Sequence, residues 1–111
     1  MFVFETMGVA GGFETIADTS TAIGFTAAKI APTTGNHVGK KAKAALISVE
    51  TADVRFTLDG TTPTITAGTG AGHLLPSGGE YEIKGTANVA NFKVINAVDA
   101  SGAVVKCTYF F

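Results

Sequence analysis

Apolar and polar residues alternate with a period of two through much of the chain. Ala45, Ile47 and Val49 fall on one side of the alternation, and Leu46, Ser48 and Glu50 on the other. Val54, Phe56 and Leu58 alternate with Arg55, Thr57 and Asp59, and Tyr81 and Ile83 with Glu82 and Lys84. Further on, Phe92, Val94 and Val98 alternate with Lys93, Ile95 and Ala97, and Val104, Lys106, Thr108 and Phe110 with Ala103, Val105, Cys107 and Tyr109. Side chains two apart share a strand face, so this period, in β-branched and aromatic residues, predicts half-buried antiparallel strands. Turn formers separate the runs at Glu50–Asp53, Asp59-Gly60, Pro76–Gly79, Asn88–Asn91 and Asp99–Gly102. Glycine at such places supplies the positive φ of a tight reversal. The spacing of the turns predicts about six strands from about Lys43 to Phe111, an all-β antiparallel sandwich or jelly-roll-like unit. Its expected core is Ile47, Val49, Phe56, Leu58, Ile83, Phe92, Val94, Val105 and Cys107.

The first third is patterned differently. Phe2-Val3-Phe4, Phe13–Ile16 and Ala22–Phe25 read as short strands, and Ala31–Lys40 as a loop. Residues 1–40 are thus expected to add strands to the sheets or to extend as an arm, and 41–111 to form the sandwich, one domain in all. The best helical segment, Lys40–Leu46, runs into β-branched Ile47 and Val49 without a cap and is weak.

Composition narrows the functional classes. Of 111 residues only 15% are charged and 46% are hydrophobic, with 14 glycines. Disorder requires the opposite balance. A net charge of −1 gives no field to gather nucleic acid or an anionic membrane. No apolar run approaches the ~18 residues of a membrane-spanning helix. The single cysteine, Cys107, allows no internal disulfide and sits on an apolar strand face, the place of a small buried hydrophobe. No glycosylation acceptor and no basic-then-apolar leader is present, so synthesis in a reducing cytoplasm is expected.

Candidate chemistry is sparse. Gly35–Lys41 lacks the spacing and the hydroxyl residue of a phosphate loop, and Gly68–Gly72 lacks the dinucleotide spacing. His37 and His73 stand beside glycines with no ligand at metal spacing. Glu80 and Glu82 share a strand face next to Lys84, and with Asp59 they do not form the converging pair of a glycosidase. No catalytic residue, metal or cofactor is therefore predicted. Lys40, Lys41 and Lys43 form the one concentrated basic feature, suited to an acidic protein surface.

Val54-Arg-Phe-Thr-Leu-Asp-Gly-Thr-Thr-Pro-Thr64 is an alternating strand, an Asp-Gly reversal and a proline that stops the ladder. His73–Ile83, Asn91–Ile95 and Val104–Phe110 continue it. Together, over about residues 44–111, they resemble small β-rich virion proteins encoded near tailed-phage capsid genes. The resemblance implies a non-enzymatic structural protein, a decoration or cement protein on the capsid surface of the virion, made in the host cytoplasm. Its partner would be the major capsid protein, bound across subunit seams, and a homo-oligomer is expected, a trimer above others. A head-fibre, neck or tail component is the neighbouring expectation. Phe56–Thr64 alone also resembles the turn of Ig-like accessory modules of carbohydrate-active enzymes, which implies sugar or protein binding on the same fold. Under the capsid reading Phe2, Phe4, Phe110 and Phe111 are contact candidates, because paired terminal aromatics seek cover; closing the monomer's own sheets is the alternative. Lys40, Lys41 and Lys43 would form the polar rim.

Overall fold

The computed structural model describes residues 8–65 and 71–111. The alternating runs become strands β1 (Ala10–Ala17), β2 (Ala44–Glu50), β3 (Val54–Thr57), β4 (His73–Leu75), β5 (Glu80–Lys84), β6 (Lys93–Asn96) and β7 (Val104–Phe110), with short helices α1 (Ala27–Ile30) and α2 (Thr86–Asn91). They form two antiparallel sheets, one in the order β1-β7-β2-β5 and one in the order β4-β3-β6. The fold is the expected small all-β sandwich.

The core lies between the sheets. Ile16, Ala45, Ile47, Val49, Ile83, Val105, Cys107 and Tyr109 of the four-stranded sheet meet Val54, Phe56, Leu75 and Val94 of the three-stranded one. Aromatic rings fill the middle: Phe25 stacks on Phe92 at 4.3 Å and meets Tyr109 edge-on at 4.9 Å. Offset and edge-on pairs of this kind add to the gain from burial itself. Every residue of the expected core is buried except Leu58, which is half-buried and packs against the cluster just past the end of β3.

Residues 8–40 share this core. β1 pairs with β7 along its length, with a bulge between Ala10 and Gly12. Phe25 is a core ring, and Ile23 makes a single bridge to Val94 instead of the expected short strand. Phe2-Val3-Phe4 lies outside the described residues.

Two local expectations are corrected. Asn88–Asn91 is the last four of the six residues of α2, not a reversal. The chain must cross there from β5 in one sheet to β6 in the other. A turn of helix spans that gap while burying Val89, and Asn88 Nδ2 donates to the Lys84 carbonyl (2.8 Å). The helical pattern at Lys40–Leu46 gives way to an extended run leading into β2, where Ala44, Ala45 and Leu46 pair on both sides with β5 and β7. Tertiary pairing overrides a weak propensity.

Candidate interaction surface

The outer face of the four-stranded sheet carries a narrow apolar band of Phe13, Phe110, Ala44 and Leu46, bordered by polar and charged positions. With Val105, Cys107 and Tyr109 turned inward, Val104, Lys106, Thr108 and Phe110 must point out. Register then sets the rows. Phe13, Thr108, Leu46 and Glu82 stand side by side across all four strands. On one side of this row lie Thr15, Lys106, Ser48 and Glu80, and on the other Phe110, Ala44 and Lys84. Phe13 is 56% exposed, whereas Leu46 and Phe110 are half-buried.

The opposite outer face is covered in part by the chain itself, over Arg55 and Thr57, while Leu74 on β4 stays exposed. The segment after β3 folds back over it. Thr57 Oγ1 donates to the Thr61 carbonyl, Arg55 Nη1 to the Gly72 carbonyl (3.1 Å) and Thr64 N–H to the Ala71 carbonyl (3.1 Å). Pro63, the ladder-stopping residue, is fully buried there.

Free strand edges are blunted. The Gly85–Lys43 and Val49–Gly79 hydrogen bonds fix the pairing phase of β5, so the backbone groups of Glu80, Glu82 and Lys84 point away from β2. Those three positions carry charges, which discourage strand addition. On β1 the Asp18–Ala103 bond fixes the phase and turns the Phe13, Thr15 and Ala17 backbone outward, where Lys29 Nζ donates to the Phe13 carbonyl (3.2 Å).

The sequence-derived candidates gather at one end. Phe111 and Val9 exchange backbone bonds (2.8 and 3.0 Å), and Lys43 N–H donates to the Phe110 carbonyl (2.8 Å). Phe110 projects onto the outer face. Phe111 turns the other way, stacks on His37 at 4.5 Å and packs against the core cluster. Lys40, Lys41 and Lys43 are exposed around Ala42, which is buried, and the described residues place no carboxylate within 4.0 Å of any of the three. Lys41 also lines a small apolar hollow of about 150 Å³ between α1 and α2. Phe2 and Phe4 lie outside the described residues.

Inside the same end, Glu14 ties three elements together. Its carboxylate accepts from Thr26 N–H (3.0 Å), Thr26 Oγ1 (2.6 Å) and the Tyr109 hydroxyl. Burial works to raise its pKa, but these hydrogen bonds and the charge of Lys29 outweigh it and hold the carboxyl below the ordinary range. Burial and the bond to Glu14 push the Tyr109 hydroxyl far up, and burial pushes the Cys107 thiol up to about 12. Cys107 is fully buried in the core cluster, where it packs as a small hydrophobe.

The two histidines do not meet. His37 lines a cavity of about 420 Å³ with Gly11, Gly12, Lys29 and Thr34, and His73 a shallow one of about 360 Å³ with Asp59 and Thr61. Hydrogen bonds from Thr61 hold Asp59 below the ordinary range. Glu80 and Glu82 lie on the far sheet's outer face, remote in topology from Asp59. Among the described residues no three His, Cys, Asp or Glu side chains cluster to hold a metal. Sequence reasoning missed the apolar band, although its signal was present: Phe13, Leu46 and Phe110 occupy positions that a one-sided sheet would give to polar residues. Comparison of the chain with protein-family models, curated proteins and solved structures finds no match.

Proposed function

We propose that this chain is a non-enzymatic virion structural protein, a capsid decoration or cement protein that strengthens a phage head by binding across capsid subunits. The observation that carries this reading is the exposed trio Lys40, Lys41 and Lys43 on the run into β2, with Lys43 beside the paired β1 and β7 termini. Three cations with no carboxylate within 4.0 Å among the described residues match an acidic protein surface and favour one docking orientation. The resemblance over residues 44–111 names the surface as that of the major capsid protein.

The test is co-sedimentation with assembled tailed-phage capsid shells. Wild type is expected to bind saturably. A K40E/K41E/K43E chain should bind at least about tenfold more weakly, and added salt should weaken the wild type. Absence of binding to such shells overturns the reading. A second reading is supported by one feature, the hollow lined by Asp59, Thr61 and His73 on the turn shared with Ig-like accessory modules. Glycan binding lost in Asp59→Ala would favour that module over the capsid protein.

A further inference from the structure

We propose that the hollow between α1 and α2 receives one aliphatic side chain of an acidic partner segment, with Lys41 at its rim holding a carboxylate beside that side chain. This occupant deepens the acidic-surface reading of Lys40, Lys41 and Lys43 and rests on it, but does not require that the surface be a capsid.

The hollow is built into the fold. Ala27 and Ile30 of α1, with Ala31 just after it, line one wall, and Thr86, Val89 and Ala90 of α2 the other. Each triplet stands at i, i+3 and i+4, the spacing of one helix face. The two faces do not close on each other. α1 buries no residue and α2 only Val89, and the alanine side chains are too short to fill the gap. The walls are held from outside it. Ala42 N–H donates to the Ile30 carbonyl (2.7 Å), Thr26 ahead of α1 is bound to Glu14, and Asn88 of α2 to the Lys84 carbonyl. The space is about 150 Å³. An aliphatic-lined volume of ~150 Å³ takes a benzene-sized group. One branched aliphatic side chain therefore fills it, and a preformed wall lowers the ordering cost of binding.

Charge names the occupant. Lys41 lines the hollow, and it and its neighbours Lys40 and Lys43 are exposed. Among the described residues no carboxylate lies within 4.0 Å of any of the three. The matching segment thus carries an aliphatic side chain with carboxylates next to it. A bare anion gains nothing from the apolar lining, and a net charge of −1 gives no field to hold a polyanion. An anchor side chain seated in a pocket is how a small contact concentrates its binding. The chain has two segments of similar type, Phe4-Glu5 outside the described residues and exposed Val98-Asp99 before β7, and the test separates both.

Methyl-resolved NMR of the full chain, titrated with acetyl-Asp-Leu-Asp-amide, acetyl-Asp-Ala-Asp-amide and acetyl-Lys-Leu-Lys-amide, tests this. Saturable shifts of the Ile30, Val89 and Ala90 methyls are expected with the first peptide, at a Kd of about 1 mM. The second should bind about tenfold more weakly, and the third should leave the methyls unmoved. K41E should weaken the first about tenfold. Ala90→Trp, which fills the hollow from an exposed position, should abolish its binding. Circular dichroism and thermal melting check that both variants remain folded. No saturable shift overturns the proposal, as does an equal response to the three peptides or one that K41E leaves unchanged. So do hollow-methyl shifts that arise on concentrating the protein alone and vanish in V98S/D99S, which assign the hollow to a second copy. Hollow methyls that move in the peptide-free F2S/F4S chain assign it to residues 1–7 and overturn the proposal too. Capsid shells keep the two readings apart. Shells that bind wild type and Ala90→Trp equally defeat the hollow and leave the capsid reading standing, whereas peptide binding without shell binding does the reverse.

Discussion

Glu14 is one carboxylate doing the work of a three-way joint. It fixes Thr26 at the entry to α1, the Tyr109 hydroxyl on β7 and its own strand β1. Its folded pKa lies below its unfolded value, so its contribution to stability is full above the unfolded pKa and fades as pH falls through the folded one. The melting temperature of wild type should therefore exceed that of Glu14→Gln at neutral pH, and the gap should shrink as the pH falls below the ordinary glutamate pKa of ~4.3 and on through the lowered folded one. A gap that stays constant with pH would remove Glu14 from this role. Phe56 shows the apolar counterpart. It is 4% exposed and touches Tyr81 and Phe92 at ring separations of 5.0 and 6.0 Å. Phe56→Ala should cost about 3–5 kcal/mol in a denaturant titration.

Two glycines set the geometry of elements through the space they leave. A Cβ on Gly24 would stand 2.8 Å from the Phe92 carbonyl oxygen, a backbone atom locked beside the Phe25–Phe92 stack. A Cβ on Gly11, at the β1 bulge, would stand 2.6 Å from the His37 ring and 2.7 Å from the Phe111 ring, both side-chain atoms and not backbone. Gly24→Ala is accordingly expected to cost about 1–3 kcal/mol and Gly11→Ala clearly less, the latter releasing His37 from Phe111; paired thermal melts with the His37 proton resonances would show both. At this scale much of the fold could be read from period and turns, since Ile47–Val49, Val54–Phe56, Ile83 and Val105–Tyr109 declare their faces by alternation alone. Elements without a period were not legible. α2 is too short for a helical repeat, and α1 has no buried residue to mark a face. Asn96 is fully buried, its amide hydrogens accepted by Asp18 and Ser20 from 78 and 76 residues away and its Oδ1 left without a partner. The lysine end was visible as a charge cluster, whereas the apolar band needed the register of four strands before its members became neighbours.

For the whole molecule, protection should follow the sheet order. β7 and β2 are flanked on both sides, while β5 and the three-residue β4 are edges. Native-state hydrogen exchange should find the slowest amides at Val105–Tyr109 and Ile47–Val49 and the fastest strand amides in β4. The same order dictates a history. β1 and β2 are made early yet never touch as neighbours; β7, the last strand in sequence, is inserted between them. While the chain is being synthesised, β1 has nothing to pair with, and Glu14 waits for Tyr109 across a separation of 95 residues. The full four-stranded sheet thus comes into being late, after the ribosome has delivered residues 104–110, and a nascent chain stalled before Val104 holds Leu46 on a bare β2–β5 pair and Phe13 on a β1 that has no neighbour.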